Sequence, residues 1–204
     1  MNMKLLLCAV LTLSSVLSTN IAYGDKAAQT TVFKTERPKV ILLGDSLAQG
    51  MSHEFQKIAK KNGYSPVILA KGGTWCNYWS GSIERIVTKH HPQIVIVSLG
   101  TNDSTSSKPE PQRLHIKKIR EKVVDSGAKL LWLTPPQLPK RFKSKDEIRS
   151  ILSEEIPPEE TFTGDDLQLE KEKDKIHMTV EGYKKWITST WNIAVEKGLF
   201  SPKN

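Results

Sequence analysis

Three residue types that together perform nucleophilic acyl transfer stand far apart in the sequence. Ser46 lies in the tetrapeptide Gly44-Asp45-Ser46-Leu47, and Asp174-Lys175-Ile176-His177 places a carboxylate three residues before a histidine. A serine hydroxyl is a poor nucleophile unless a base accepts its proton, and a carboxylate behind the histidine fixes the tautomer that can do so. We therefore expect Ser46 to be the nucleophile of a catalytic site, with Asp174 and His177 as its acid–base partners.

Each of these two motifs also has an ordinary structural interpretation. Aspartate and serine commonly cap helices, so the first tetrapeptide alone is more typical of a helix start than of a catalytic centre. The Asp-x-x-His spacing alone is equally explained by a surface ion pair of little energetic value. The catalytic interpretation therefore depends on a fold that brings the two motifs together.

Acyl transfer also needs hydrogen-bond donors for the negative oxygen that forms in the transition state. Candidates are the backbone N–H of Ser46, the side-chain amide of Asn102 in Gly100-Thr101-Asn102-Asp103, and a backbone N–H of Gly72 or Gly73. A helix N-terminus favours negative charge, and a glycine lets a backbone N–H approach a substrate without a Cβ in the way. Glycines at such places are also ordinary turn residues.

The elements that must position these groups follow from the apolar pattern. Continuous apolar runs predict four buried strands, at 40–43, 66–70, 94–99 and 130–133. Helical spacing occupies the segments between and after them, at about 48–62, 80–90, 111–126 and 180–197. Strand–helix alternation predicts an α/β fold with a parallel sheet covered on both faces, in which ligands bind beyond the carboxyl ends of the strands. Ser46, the glycine pair and Asn102 each follow such an end.

Taken in this order, the motifs resemble those of the SGNH hydrolase superfamily, the GDSL esterases and lipases. The resemblance covers about residues 38–135 and 174–195, including the passage from His177 into the last helix. It implies a flavodoxin-like three-layer α/β/α sandwich with five mostly parallel strands, and an oxyanion hole formed by Ser46, Gly73 and Asn102. The spacing to Asn102 favours Gly73 over Gly72, and the second motif departs from the usual family form.

Residues 136–173 are rich in Pro, Lys and Glu, with a short helix indicated near 146–155. We interpret this segment as an insertion that runs over the surface, with a mobile element beside the site as the alternative. The fifth strand of the family fold is expected in the stretch before Asp174.

Several other residues with reactive side chains are expected to have structural or surface roles. Asp45 and Asp103 are expected to be structural, with Asp45 holding the nucleophile turn and Asp103 bracing the Asn102 loop. Cys76 is expected to pack in the interior. Surface positions are expected for three histidines, His90, His91 and His115.

The first 24 residues have the form of a secretory leader, with Lys4, an apolar stretch and small residues before Asp25. We expect an exported protein, periplasmic or extracellular, with a polar lead-in at 25–37 and one hydrolase domain at 38–204. The alternative is an uncleaved membrane anchor; after cleavage no stable membrane insertion is expected. Loss of Cys8 with the leader would leave Cys76 without a disulfide partner.

The formal net charge of +8 indicates either an anionic neighbourhood or simply a solvated basic surface. No basic stripe interleaved with aromatic residues supports a nucleic-acid partner. No metal constellation is visible in the sequence, so we expect no cofactor. The sequence carries no signal for an oligomeric state.

The expected substrate is an ester, and its class depends on three aromatic residues after the glycine pair. Trp75, Tyr78 and Trp79 are candidate substrate-binding residues, since aromatic faces stack on sugars and also line acyl pockets, with core packing as the alternative. Together with export and charge they favour removal of O-acetyl or other short acyl groups from an envelope or extracellular polysaccharide. A lysophospholipase or thioesterase, and a non-catalytic glycan-binding module, are the alternatives.

Overall fold

A single parallel sheet organises the part of the chain that the structure, a computed structural model, describes, residues 36–200. Its strands are β1 (Lys39–Gly44), β2 (Ser65–Ala70), β3 (Ile94–Ser98), β4 (Lys129–Leu133) and β5 (Thr161–Phe162). They lie in the order β2-β1-β3-β4-β5, and each neighbouring pair is parallel. The chain leaves β1 in opposite directions towards β2 and β3, so the carboxyl ends of β1 and β3 form the topological switch point at which α/β proteins bind ligands.

Six α-helices accompany the sheet within these residues. They are α1 (Ser46–Lys61), α2 (Cys76–Ser80), α3 (Ile83–His90), α4 (Gln112–Asp125), α5 (Lys145–Glu155) and α6 (Val180–Glu196). Short 3₁₀ turns lie at Asp103–Thr105, Pro158–Glu160 and Asp165–Leu167. The helix expected at about 80–90 is α3, which begins at Ile83 after a turn at Gly81 and Ser82, and the short helix α2 before that turn was not predicted.

Alternate residues of the central strands enter two separate cores. Leu42 and Ile96 pack with α1 and α6 on one face of the sheet, whereas Leu43 and Val97 pack with helices α3, α4 and α5 on the other. Strands buried on both faces explain why the apolar runs show no polar alternation. The expected three-layer α/β/α fold is confirmed.

The segment 136–173 differs from the sequence interpretation. Helix α5 buries Ile148, Ile151 and Leu152 in the core, and β5 completes the sheet beside β4. The fifth strand therefore lies where it was expected, but the interpretation of the whole segment as a surface excursion was wrong. The short helix indicated near 146–155 is confirmed as α5, but its many charged residues concealed the narrow apolar face that packs in the core.

One glycine lets the first and last helices approach each other. A Cβ at Gly50 of α1 would lie 2.1–2.5 Å from ring atoms of Tyr183 of α6. The ring therefore occupies the space that any other side chain at position 50 would need. This contact joins the helix that begins at Ser46 to the helix that follows His177.

The expected leader, its cleavage before Asp25, Cys8 and all but the last two residues of the lead-in lie outside the described residues. Between Glu36 and Phe200, no helix combines the length and the apolar character needed to cross a bilayer.

The core role of α5 predicts a large effect of truncating a single side chain. Ile148→Ala should lower the free energy of unfolding by about 2–5 kcal/mol, because it removes a fully buried side chain and leaves a cavity. Leu114→Ala on α4 is the matched control, because Leu114 is 68% exposed and its loss should change stability by about 0.5 kcal/mol or less. Urea unfolding of both variants measures the difference. Equal, small effects would show that α5 does not belong to the core.

Candidate active site

The turn from β1 into α1 places Ser46 at the switch point. A Cβ at Gly44 would lie only 2.2 Å from the Ser98 carbonyl oxygen, so this close approach of β1 to β3 requires glycine. Asp45 caps α1 by accepting the Leu47 N–H at 2.9 Å, and its own N–H is donated to the Ser98 oxygen at 3.2 Å. Ser46 is the first residue of α1, so its N–H is one of those without an acceptor inside the helix.

The structure brings Ser46, His177 and Asp174 into one hydrogen-bonded row. His177 Nε2 lies 2.9 Å from Ser46 Oγ, and His177 Nδ1 lies 2.6 Å from Asp174 Oδ2. The other carboxylate oxygen of Asp174 accepts the backbone N–H groups of Ile176 at 2.8 Å and His177 at 3.0 Å. Lys175 adopts φ +60° within this tight loop. The loop therefore orients the histidine through its own backbone.

The electrostatics of the loop favour an ionised carboxylate. The hydrogen bond from His177, followed by the N–H of Ile176, lowers the pKa of Asp174 to about 2. An ionised Asp174 accepts a hydrogen bond from the Nδ1–H group, which keeps the proton on Nδ1 and leaves Nε2 free to accept the Ser46 hydroxyl proton. The arrangement can generate a nucleophilic serine at neutral pH.

The side-chain amide of Asn102 lies close to the turn that carries Ser46. Its Nδ2 donates to the Thr74 carbonyl oxygen at 3.0 Å and to Asp45 Oδ2 at 3.4 Å. Both neighbours are acceptors, so they fix which end of the amide is the nitrogen. Thr74 is held in turn by the indole N–H of Trp79, 2.9 Å from its Oγ1.

The two glycines after β2 differ in their surroundings. A Cβ at Gly72 would lie 3.7 Å from the Cβ of Ser46, whereas a Cβ at Gly73 would have no atom within 4 Å. Gly73 adopts φ +73°, a conformation that other residues rarely take. The pair thus lies beside the nucleophile, and the assignment of the backbone donor to Gly73 stays a prediction.

Two carboxylates are buried behind the site. Burial raises the pKa of Asp45 to about 7, with the Leu47 N–H opposing the rise and the charge of Asp103 adding to it. Burial also raises the pKa of Asp103, whose oxygens accept the N–H of Cys76 at 3.0 Å and face its thiol at 3.5 Å. Asp103 therefore braces α2 rather than only its own loop. Cys76 is fully buried, and burial raises the pKa of its thiol.

The three aromatic candidates occupy different environments. Tyr78 is 50% exposed, Trp75 is half-buried, and Trp79 is only 7% exposed within the core that faces α3 and α4. Trp79 follows the core-packing alternative, because its indole packs in the core and its N–H supports Thr74. Substrate contact by Trp75 and Tyr78 stays a prediction. Surface positions were expected for three histidines, and the structure shows each of them half-buried or exposed: His90, His91 and His115.

Two residues that sequence reasoning missed contribute to the site. Thr74 holds Asn102 through a backbone oxygen, which no side-chain pattern can reveal. Arg141 Nη2 donates to the backbone oxygen of Asp174 at 2.8 Å, although 33 positions separate them. The basic composition around Arg141 was the one available signal. Among residues 36–200, no group of three His, Cys, Asp or Glu residues could hold a metal ion.

Similar folds occur in esterases and lipases. An acetyl xylan esterase superposes with a TM-score of 0.64 at 17% identity, over 76% of this chain and 98% of that one. A GDSL-like lipase from Bacteroides thetaiotaomicron gives 0.62 at 18% identity, over 78% and 88%. A family 3 carbohydrate esterase from Clostridium thermocellum gives 0.60 at 14% identity, over 78% and 96%.

These structures share the α/β fold of this chain, which is the fold that the resemblance to the SGNH hydrolases implies. Residues 39–153 match a family described as "Protein of unknown function (DUF459)", and the chain belongs to that family. No curated protein matches the sequence.

The buried Asp45 carboxyl makes a pH-dependent contribution to stability. Its pKa is raised from 3.8 to about 7, so the unfolded chain loses this proton at a lower pH than the folded chain. The stability that Asp45 contributes is therefore fully present below pH 3.8 and is lost as the pH rises to about 7. At about 1.4 kcal/mol for each pKa unit, the loss approaches 4 kcal/mol.

Asp45→Asn removes this titration while retaining the shape of the side chain. The free energy of unfolding of Asp45→Asn minus that of the parent protein should increase by a few kcal/mol from about pH 4 to about pH 8. Urea unfolding at the two pH values measures the change. Asp125→Asn, at an exposed position, is the control and should show little such dependence. If the free energies of unfolding of Asp45→Asn and of the parent protein differ by the same amount at both pH values, the raised pKa of Asp45 is contradicted.

Proposed function

We propose that the protein is a serine ester hydrolase that acts through an acyl-enzyme on Ser46. The observation that carries the proposal is the unbroken contact row from Asp174 to His177 to Ser46, with heavy-atom distances of 2.6 and 2.9 Å. His177 Nε2 accepts the hydroxyl proton as Ser46 Oγ attacks the ester carbonyl carbon. The alcohol then leaves with the proton from His177, and water attacks the acyl-enzyme by the same route in reverse.

The negative oxygen of the tetrahedral intermediate would be stabilised by Ser46 N–H, Gly73 N–H and the Asn102 amide. In the structure both acceptors on the Asn102 nitrogen are protein groups, and the contact with Asp45 is the longer one at 3.4 Å. The substrate oxygen would therefore replace Asp45 as the acceptor of one amide proton. An oxyanion-hole donor of this kind is worth about 2.7–4 kcal/mol in other hydrolases.

For the substrate, we propose an O-acetyl or other short acyl group on an envelope or extracellular polysaccharide. The half-exposed ring of Tyr78 offers a face or edge to a sugar, close to the glycine pair. The loop after β4 borders cavities of about 330 and 190 Å³, and their walls include Lys145, Asp165 and Lys171. Charged walls suit a hydrated glycan better than a long acyl chain. The leader-like first 24 residues support export.

Two alternatives receive weaker support. A lysophospholipase or thioesterase would need an apolar channel for its acyl chain, and the cavities after β4 are lined largely by polar and charged groups. A non-catalytic glycan-binding module would have no need for a serine, histidine and aspartate at hydrogen-bonding distances.

Labelling with a fluorophosphonate tests the nucleophile. The protein should be labelled at Ser46, and Ser46→Ala should abolish both labelling and ester turnover while the far-UV circular dichroism is unchanged. His177→Ala should lose nearly as much activity, and Asn102→Ala should lose roughly 10²–10³-fold in kcat. Turnover near the parent rate in Ser46→Ala would refute the mechanism.

The acyl preference tests the substrate class. With 4-nitrophenyl esters of increasing chain length, we expect the highest kcat/KM for acetate and a decline towards octanoate and longer chains, because charged side chains in the walls of the cavities after β4 suit a long apolar chain poorly. Steady-state kinetics at a fixed pH measures the series. A clear preference for long chains would support the lipid acyl hydrolase instead.

A further inference from the structure

Lys71 follows the strand beside the proposed nucleophile, and Arg141 is hydrogen-bonded to the loop of the proposed base. We propose that the natural substrate is an acidic polysaccharide whose carboxylates pair with Lys71 and Arg141. This inference rests on the proposed ester hydrolase function and specifies the substrate of the same site. Ser46 follows β1; Lys71 follows β2 on one side, and Arg141 belongs to the loop after β4 on the other. Because β2 is the neighbour of β1, Lys71 lies next to the turn that carries Ser46, whereas Arg141 is linked to the site by its hydrogen bond to the Asp174 backbone oxygen.

The backbone at Lys71 is firmly fixed beside Ser46. Its N–H donates to the Gly44 oxygen at 3.0 Å, and its own oxygen accepts the Thr74 hydroxyl at 2.7 Å. The next residue, Gly72, is the one whose added Cβ would lie 3.7 Å from the Cβ of Ser46. The exposed ammonium group of Lys71 therefore extends from a rigid turn immediately adjacent to the nucleophile.

The Lys71 side chain is paired with an aromatic ring rather than with a carboxylate. Its Nζ lies 4.7 Å from the ring centre of Tyr78, a cation–π contact. The Tyr78 ring packs edge-on against Trp79 at 5.1 Å between centres, which holds it in place. A cation beside a half-exposed aromatic ring matches a sugar acid, because the ring contacts the apolar face of the sugar while the ammonium group pairs with its carboxylate.

Arg141 is attached to the loop that carries the proposed base. Its one hydrogen bond within the described residues goes to the backbone oxygen of Asp174, and its guanidinium carbon lies 5.6 Å from the ring centre of Phe142. By contrast, Arg113, Arg120 and Arg149 each bind carboxylates of this chain. Arg141 thus keeps guanidinium N–H donors for a carboxylate from outside the chain.

The loop that carries Arg141 has a one-sided charge, whereas lysines and carboxylates balance in the loop before α6. The loop 137–144 contains Lys140, Arg141 and Lys143 and no acidic residue. In the loop before α6, exposed Lys173 and Lys175 flank Asp174, whose charge is directed to His177, and Glu172 is the one other carboxylate of 172–177. A local excess of positive charge attracts and orients an anionic polymer, and salt weakens the attraction.

The test compares two acetylated polymers that differ only in charge. Acetylated polygalacturonate and the same material with its carboxyl groups reduced to alcohols are given to the full-length protein, and acetate release is measured. We expect kcat/KM to be about tenfold or more higher for the acidic polymer at low ionic strength, in line with a charge-assisted hydrogen bond. The preference should decline as sodium chloride is added.

Variants assign the preference to the two residues. Lys71→Met and Arg141→Gln should each reduce the acidic-to-neutral ratio of kcat/KM several-fold, whereas Arg141→Lys should retain part of it because the positive charge remains. Lys118→Met is the control, because Lys118 is exposed on α4 and should leave the ratio unchanged. Thermal unfolding of each variant shows whether it is folded, and Lys71→Gln replaces Lys71→Met if that variant is unstable.

Failure of this inference is distinguishable from failure of the proposed function. If fluorophosphonate labels Ser46 but both polymers are hydrolysed equally, or the ratio is unchanged in the variants, the acidic substrate is refuted and the hydrolase stands. A preference for acyl groups on anionic phospholipid vesicles over both polymers would refute it as well. Absence of both labelling and acetate release would overturn the hydrolase function itself.

Discussion

The ends of β1 and β3 are pressed together at Gly44, where the chain has no room for a Cβ beside the Ser98 oxygen. The hydrogen bond from Asp45 N–H to the same oxygen fixes the start of α1 at this point. The position of Ser46 relative to Asn102 depends on this contact, because one residue follows β1 and the other follows β3. A shift of either strand would separate the proposed nucleophile from its oxyanion donor.

Two aspartates near Ser46 show how the surroundings decide the behaviour of one chemical group. Asp45 is removed from water and has a pKa raised to about 7, whereas Asp174 is open to solvent and has a pKa lowered to about 2 by the hydrogen bond from His177. Desolvation disfavours the charged form, and donated hydrogen bonds favour it. The exposed carboxylate is therefore the one suited to support a base, and the buried one is suited to hold a turn.

The sequence predicts those parts of the fold and site that depend on local patterns of residue types. Four apolar runs predict four strands, and the order of the motifs predicts that Ser46 and His177 meet. It does not reveal contacts made by backbone atoms or by distant side chains, such as the support of Asn102 by Thr74 or of Asp174 by Arg141. Charged residues around Ile148 concealed the core role of a helix that the sequence does indicate. The position of Trp79 after the glycine pair suggested a binding surface where the structure has a packing residue.

The contact of Gly50 with Tyr183 ties the helix of the proposed nucleophile to the helix that follows the proposed base. Ser46 is synthesised early, whereas His177 and α6 belong to the last part of the sequence. The proposed nucleophile thus has no base beside it until α6 has docked against α1. Under the proposed mechanism, a partly synthesised or unfolded chain would carry an inert serine, and activity would arise only with the completed fold.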